Sequence, residues 1–127
     1  ALLFAAGVGQ LETVQWLLQH GGSSITERDN DGCTALLSAA SEGSLRTVQW
    51  LLQYGGASIT ERDNDGDTAM TAAAYAGQLE AVQWLLQQGG ASFTEHDNEG
   101  HTALLSAAGE GHLSTIHWLL QHGGASI

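Results

Sequence analysis

Three short acidic segments are the part of this sequence that comes closest to a metal site. Residues 27–32 place acids at alternate positions before a glycine, as in the first half of a calcium-binding loop, and residues 61–66 and 95–100 repeat the pattern. Such a loop also needs a bidentate acid at its twelfth position. The three twelfth positions hold Ser38, Ala72 and Ser106. The segments are therefore predicted to be hairpin turns, and no bound metal is expected.

The histidines suggest little further chemistry. His96 and His101 flank the third acidic turn, but no second cysteine or further ligand set accompanies them, so a metal site is not predicted there. His112, His117 and His122 are spaced by five residues, do not share a helix face and are expected to be solvated. The sequence also lacks a nucleophile elbow and a phosphate loop, so neither catalysis nor a cofactor is expected.

The charge balance limits the classes of partner. Three arginines and no lysine stand against fourteen acids, which gives a formal net charge of −11. Nucleic acids and anionic membrane surfaces are therefore not expected as partners, because Lys and Arg drive both kinds of binding. Stacked acidic turns would instead form a ridge that favours a basic segment of a partner protein. Solubility alone is the other explanation of that ridge.

The cysteine count and the hydropathy bear on the compartment. Cys33 is the single cysteine, so an internal disulfide is excluded and nothing indicates an oxidising environment. No apolar segment approaches the roughly 20 residues that span a bilayer, and residues 1–6 lack the basic flank of a signal peptide. A cytoplasmic or nuclear, intracellular location is expected.

The chain is an internal repeat. The tetrapeptide Trp-Leu-Leu-Gln begins at a constant interval of 34 residues. Its four copies start at Trp16, Trp50, Trp84 and Trp118. A fixed period of this size indicates a stacked array, here one domain over 1–127. Its units are about 1–33, 34–67, 68–101 and 102–127, with the first and last incomplete.

Local signals within the second unit predict its elements. Thr34 is a suitable N-cap for a short helix that Gly43 ends, and Leu36, Ala39 and Ala40 form its inward side. The inward side of a second helix, from about Ser44, is predicted from helical spacing. It comprises Leu45, Val48, Leu51 and Leu52.

The rest of the unit is predicted to be a turn and a finger. Gly55 suits the left-handed residue after the second helix. Residues 58–60 have the composition of a strand, and residues 63–66 have turn chemistry, which together indicate a β-hairpin. Arg62 and Asp67 would face each other across it as a surface ion pair, which contributes only about 0.2–1 kcal/mol.

The sequence resembles ankyrin repeats along its whole length. The Thr-Pro-Leu-His-x-Ala signature of that family corresponds to residues 34–39, 68–73 and 102–107, without its proline and histidine, and an extra glycine makes the unit 34 residues long. Tetratricopeptide repeats share the period but need longer helices. The resemblance implies an all-α solenoid of stacked helix-turn-helix pairs with β-hairpin fingers. Near-identical units also resemble the arrays of some fungal immune receptors and of designed binders.

Variation among the units suggests where a partner would bind. In proteins of this family the variable positions line the concave groove between the fingers and the first helices. The candidate partner-binding residues are Cys33, Ser41, Glu42, Tyr54, Asp67, Tyr75, Ala76, Gln88, His101 and Glu110. Free drift at exposed positions is the alternative explanation. The tryptophans, at one register of an apolar helix, are predicted to pack between repeats.

Two functions follow as hypotheses. The first is a non-catalytic protein–protein interaction module that binds a partner through the concave groove and the acidic finger tips. The second is a structural array, a homo-oligomer that stacks head to tail through terminal repeats without polar caps. Nothing within the chain supports a third class, an enzyme.

Overall fold

The computed structural model describes residues 1–122, which form eight short helices. Residues 123–127, the end of the fourth unit, lie outside the described residues. The helices are α1 (Leu2–Gly7), α2 (Leu11–Gln19), α3 (Ala35–Glu42), α4 (Leu45–Gln53), α5 (Ala69–Ala76), α6 (Leu79–Gln87), α7 (Ala103–Gly109) and α8 (Leu113–His122).

The helices form two layers. The first helices α1, α3, α5 and α7 pack side by side in one row, and each also packs against the second helix that follows it. Alanines at 39, 40, 73 and 74 are fully buried between them, where small side chains allow a close approach. Val48 and Leu51 are also buried, whereas Leu45 and Leu52 are only half-buried. The structure is thus the predicted all-α repeat solenoid.

The first helix of the second unit, α3, begins and ends at the predicted residues. The Oγ1 atom of Thr34 accepts a hydrogen bond from the amide of Leu37 at 3.3 Å, and Thr68 and Thr102 cap α5 and α7 in the same way. Gly43 follows α3 in the left-handed conformation. The sequence therefore predicts this helix correctly at both ends, and each threonine cap contributes about 1 kcal/mol.

The double glycine after α4 corrects one detail of the prediction. Gly56, not Gly55, adopts the left-handed conformation, with φ of 84°. Gly55 is required for a different reason, since a Cβ there would lie 3.0 Å from the Cα atom of Leu51 and 2.9 Å from the Trp50 ring. One glycine thus permits close packing and the next permits the turn.

The fingers are turns and not the expected β-hairpins. Within residues 1–122 the only bridge of strand type joins His96 and Thr102. Local side-chain bonds compete with a strand ladder at residues 58–60: the Ser58 amide donates to the Glu61 carboxylate, and the Thr60 amide donates to the Ser58 hydroxyl. These bonds hold the backbone as a compact turn.

Each finger is hydrogen-bonded to the next one. The Asn64 amide donates to the Asp31 carbonyl at 2.9 Å, and Asn98 repeats this bond to Asp65. The Arg28 guanidinium donates to the Gly32 and Arg62 carbonyls, each at 2.7 Å. Because these bonds recur at the 34-residue interval, the fingers form a continuous ladder.

The ladder replaces the expected ion pair between Arg62 and Asp67. The Arg62 guanidinium donates to the Gly66 carbonyl and, across the ladder, to the His96 carbonyl. The Asp67 carboxylate instead accepts a hydrogen bond from the Thr71 hydroxyl at 3.0 Å. The two side chains therefore make separate hydrogen bonds, and the half-buried Asp67 carboxylate is bonded within its own unit.

The tryptophans pack against the structure only in part. Trp50, Trp84 and Trp118 are half-buried against the core, whereas Trp16 is 58% exposed. The Trp50 ring lies over Gly55, and the Trp84 ring lies over Gly89 in the same way. The predicted packing role therefore describes three of the four rings.

Candidate partner-binding groove

The fingers and the first helices enclose two cavities along one side of the solenoid. The first, called here the N-terminal cavity, lies between α1, α3 and the first finger and has a volume of about 390 Å³. It is lined by Leu3, Phe4, Gly7, Val8, Asp29, Cys33, Leu37, Ser38, Ser41 and Glu42. The second, the C-terminal cavity, lies between α5, α7 and the next two fingers and has a volume of about 460 Å³. It is lined by Asp65, Asp67, Tyr75, Asp97, Glu99, His101, Leu105, Ser106, Gly109 and Glu110.

Apolar side chains dominate the N-terminal cavity. Phe4 is 75% exposed and Val8 is 51% exposed, while Leu37 is fully buried beneath them. Asp29 and Glu42 are the only acids in its lining. An apolar partner side chain would cover the Phe4 ring and become buried itself. The electrostatic cost would be small, because only two acids line this cavity.

Cys33 belongs to the same apolar surface. Burial first, and then the carboxylates of Asp29 and Asp63, together raise the pKa of its thiol to about 11. The thiol is therefore protonated at neutral pH and is a poor nucleophile. Its contribution to the cavity is that of a small apolar side chain.

Acidic side chains dominate the C-terminal cavity. Five carboxylates line it, and none of its lining residues is Lys or Arg. These acids are Asp65, Asp67, Asp97, Glu99 and Glu110. Tyr75, which is 56% exposed, adds an aromatic ring to the same cavity. Carboxylates beside an aromatic face are the groups that bind a guanidinium or ammonium ion well.

Two carboxylates of this cavity are shifted in opposite directions. Burial raises the pKa of Asp67 above its ordinary value of 3.8; the hydrogen bond from Thr71 opposes this, and the charge of Asp63 adds to it. Burial also disfavours ionised Asp97, but hydrogen bonds from the His101 and Glu99 amides and from the His101 side chain outweigh it and lower its pKa below 3.8. A cation bound beside Asp67 would favour its ionised form and so lower its pKa again.

The second finger brings three carboxylates together. Oxygen atoms of Asp63, Asp65 and Asp67 all lie within 4.8 Å of one another. The protein itself uses two of these carboxylates, since one oxygen of Asp63 accepts the Asp65 and Asp67 amides at 2.9 Å and Asp67 accepts the Thr71 hydroxyl. The absence of a bound metal at these carboxylates stays a prediction.

A hydrogen bond from the next unit fixes the backbone at Tyr75. His112 lies just before α8, and its Nε2 atom is 2.8 Å from the Tyr75 carbonyl. Ser44 and Gln78 contact the Gly7 and Ser41 carbonyls from equivalent positions. Because a carbonyl only accepts, Nε2 must carry the proton. The expectation that His112 is merely solvated was therefore wrong.

The structure divides the predicted site residues into three groups. Cys33, Ser41 and Glu42 line the N-terminal cavity. Asp67, Tyr75, His101 and Glu110 line the C-terminal cavity. Ala76 ends α5, and Tyr54 and Gln88 directly follow α4 and α6; these three residues line neither cavity. No described contact of Tyr54 or Gln88 links it to the groove.

Several lining residues were not among the predicted site residues. Phe4 and Val8 vary among the units, and Phe4 is the only large apolar residue at a position that holds Ser38, Ala72 and Ser106 elsewhere. That contrast between the units is the sequence signal that could have identified Phe4 as a site residue. Asp65, Asp97 and Glu99 carried a weaker one, because acids recur at their positions in other fingers. Their place in the groove depends on how the fingers stack.

The match to a family model agrees with this architecture. A model described as ankyrin repeats in many copies matches residues 2–52, 36–86 and 72–120. The chain belongs to the ankyrin-repeat family. Ankyrin repeats generally mediate protein–protein interactions and are typically non-catalytic modules. A search of curated proteins gives no significant match. Within residues 1–122, no helix of this ankyrin-repeat chain has the length and apolar character needed to cross a membrane.

Proposed function

We propose that this ankyrin-repeat chain is a protein-binding module whose groove and acidic finger tips bind a basic segment of a partner protein. One observation carries the proposal. Five carboxylates and the exposed ring of Tyr75 converge on one open cavity that has no Lys or Arg in its lining. A basic side chain would neutralise charges that now repel one another, and it would lie against an aromatic face.

The finger ladder supports this function because it fixes the acids before a partner arrives. The Asn98 backbone amide donates to Asp65 and its side-chain amide donates to Asn64, at 2.9 and 3.0 Å. The Asp97 side chain accepts the amides of Glu99 and His101 within its own turn. A partner therefore meets a finger backbone and an Asp97 carboxylate that are already ordered, and less conformational entropy is lost on binding.

The net charge supports the same partner chemistry over longer distances. A formal charge of −11 attracts a cationic segment before contact and increases its association rate, most strongly at low ionic strength. Because salt screens this attraction, the affinity for a basic partner should fall as the salt concentration rises.

A matched pair of variants tests the proposal. The probe is a fluorescein-labelled peptide of alternating Arg and Gly, titrated by fluorescence anisotropy at several salt concentrations. Asp67→Asn with Glu110→Gln should weaken binding about tenfold, which corresponds to about 1.4 kcal/mol. Glu12→Gln with Glu80→Gln removes the same charge from α2 and α6 and should leave most of the affinity. Equal losses in the two variants would contradict groove binding.

The alternative function, head-to-tail assembly, has one observation in its favour. Leu113 and Leu120 of α8 are 65% and 40% exposed, and exposed leucines on one helix favour burial against another copy. Sedimentation velocity from low to high micromolar concentration tests it. Large species that disappear with Leu113→Ser would support assembly, and a monomer at every concentration would contradict it. The cytoplasmic or nuclear location remains a proposal beside both functions.

A further inference from the structure

We propose that the groove binds an extended partner segment with one apolar and one basic side chain about six residues apart. The apolar side chain lies in the N-terminal cavity and the basic one in the C-terminal cavity. This inference rests on the proposed function, because it adds an order and a spacing to the partner chemistry of the same groove.

The N-terminal cavity selects the apolar side chain. Phe4 and Val8 are exposed above the buried Leu37, and the neutral Cys33 thiol lies beside them. A Lys or Arg placed here would lose hydration against an aromatic ring and three aliphatic side chains, and the cavity lining offers it two acids, Asp29 and Glu42, against five in the C-terminal cavity. A leucine or phenylalanine side chain fits this surface better.

The C-terminal cavity selects the basic side chain for the opposite reason. An apolar group placed there would cover five carboxylates and remove water from them without supplying a hydrogen-bond donor. A guanidinium supplies donors to Asp67 and Glu110 and a planar face for the Tyr75 ring. Charge complementarity therefore fixes which end of the segment occupies which cavity.

The repeat geometry sets the spacing. The N-terminal cavity lies against α1 and α3, and the C-terminal cavity lies against α5 and α7, two repeats further along the row. Neighbouring helices pack about 8–10 Å apart, so the cavity centres are about 16–20 Å apart. An extended chain advances about 3.3 Å per residue. Because alternate side chains of an extended chain lie on the same face, the two side chains must be six residues apart.

The surface between the cavities leaves room for such a segment. At the α5 positions that correspond to Phe4 and Glu42, the chain has Ala72 and Ala76, both half-buried. Neither alanine has a side chain long enough to block an extended backbone. The ring of Tyr75 follows at the edge of the C-terminal cavity.

A peptide series tests the spacing directly. The probes are Gly-Ser peptides with one Leu and one Arg, separated by two, five or eight residues in both orders, and titrated into the ¹⁵N-labelled chain. With five intervening residues, one order should shift amide resonances of both cavities at once. It should bind about tenfold more tightly than the mismatched peptides, because joining two weak contacts raises the effective concentration of the second.

Variants taken from neighbouring units assign each half of the peptide. Phe4→Ser copies the residue at Ser38 and should remove the spacing preference while the Arg contact remains. Asp67→Asn with Glu110→Gln should also remove the spacing preference, while the Leu contact remains. Tyr54→Gln copies Gln88, removes an exposed ring outside both cavities, and should leave the preference unchanged.

The outcomes separate this inference from the proposed function. If all peptides with Arg bind the C-terminal cavity equally, whatever the position of Leu, the spacing inference is wrong and the basic-partner function stands. If no peptide shifts the resonances of either cavity, both are wrong. A simultaneous shift in both cavities with one preferred spacing supports both.

Discussion

The two cavities of the groove have the same backbone frame and opposite surface chemistry. Cys33 and Ser41 in one correspond to Asp67 and Tyr75 at the next repeat, and to His101 and Gly109 at the one after it. The threonine caps and the buried alanines are the same in α3 and α5. A repeat array can therefore change what it binds by substituting a few groove residues, while the constant residues preserve the fold.

The largest expected effect comes from breaking the frame that both cavities share. Leu51→Ala removes most of a fully buried side chain of α4. It should lower the free energy of unfolding by about 2–5 kcal/mol, because it leaves an unfilled space in the core. Urea denaturation followed by circular dichroism measures it. Leu113→Ala is the control, since Leu113 is 65% exposed and its loss should change stability far less. Equal effects would mean that Leu51 does not lie in a packed core between the two layers of helices.

Giving the N-terminal cavity a further acid and a tyrosine ring sharpens the comparison. Cys33→Asp with Ser41→Tyr gives the N-terminal cavity the residues found at Asp67 and Tyr75, beside its own Asp29 and Glu42. The Arg-Gly peptide should then bind at two places, and the new site should reach within about tenfold of the affinity of the first, or about 1.4 kcal/mol. Isothermal titration calorimetry counts the sites. An unchanged stoichiometry would show that these two positions do not decide the chemistry.

The ladder between the fingers should contribute a smaller stabilisation. Asn64→Ala removes the side-chain bond to the Asn30 carbonyl at 3.0 Å but keeps the backbone bond to Asp31. The loss should be about 0.5–1.5 kcal/mol, the usual net value of one hydrogen bond. Faster hydrogen exchange at the first two fingers, with α8 unaffected, is the expected readout. Uniform loosening of the whole chain would contradict a local ladder.

The smallest effects are the pH dependences of two carboxylates in the C-terminal cavity. The pKa of Asp97 is lowered, so its stabilisation is present above 3.8 and is lost as the pH falls through the folded-state value. The pKa of Asp67 is raised, so its contribution favours the folded state at low pH and declines as the pH rises through 3.8 to the folded-state value.

Urea denaturation between pH 3 and pH 7 separates these two contributions. Relative to the native chain, Asp97→Asn should lose stability above pH 4, whereas Asp67→Asn should lose none or gain slightly there. The same pH profile for both variants would show that the two acids do not have different environments.

The repeat interval and the cap residues predict most of the fold, because each depends on local sequence. The Trp-Leu-Leu-Gln interval, the caps at Thr34 and Gly43 and the buried Ala39 and Ala40 all follow from spacing and residue type. The finger conformation does not, since residues 58–60 look like a strand until the bonds from Ser58 and Thr60 compete with it. The hydrogen bonds between neighbouring fingers could not be predicted from the sequence either, because they depend on how the units stack.

The candidate site is predictable only in part. Variation among the units identifies Cys33, Asp67 and Tyr75, which do line the cavities. It also selects Tyr54, which follows a second helix and lines neither cavity, because variation measures freedom to change and not position. The two opposite chemistries emerge only when the finger of one unit is placed against the first helix of the next.

The most direct measurement is a set of intermolecular nuclear Overhauser effects with the Leu–Arg peptide of five intervening residues. Groove binding predicts contacts between the peptide Leu methyl groups and the Phe4 ring, and between the Arg side chain and the Tyr75 ring. Contacts to Tyr54, or to the tryptophans of the second helices, with none to Phe4 or Tyr75, would contradict the proposal that the groove is the partner-binding surface.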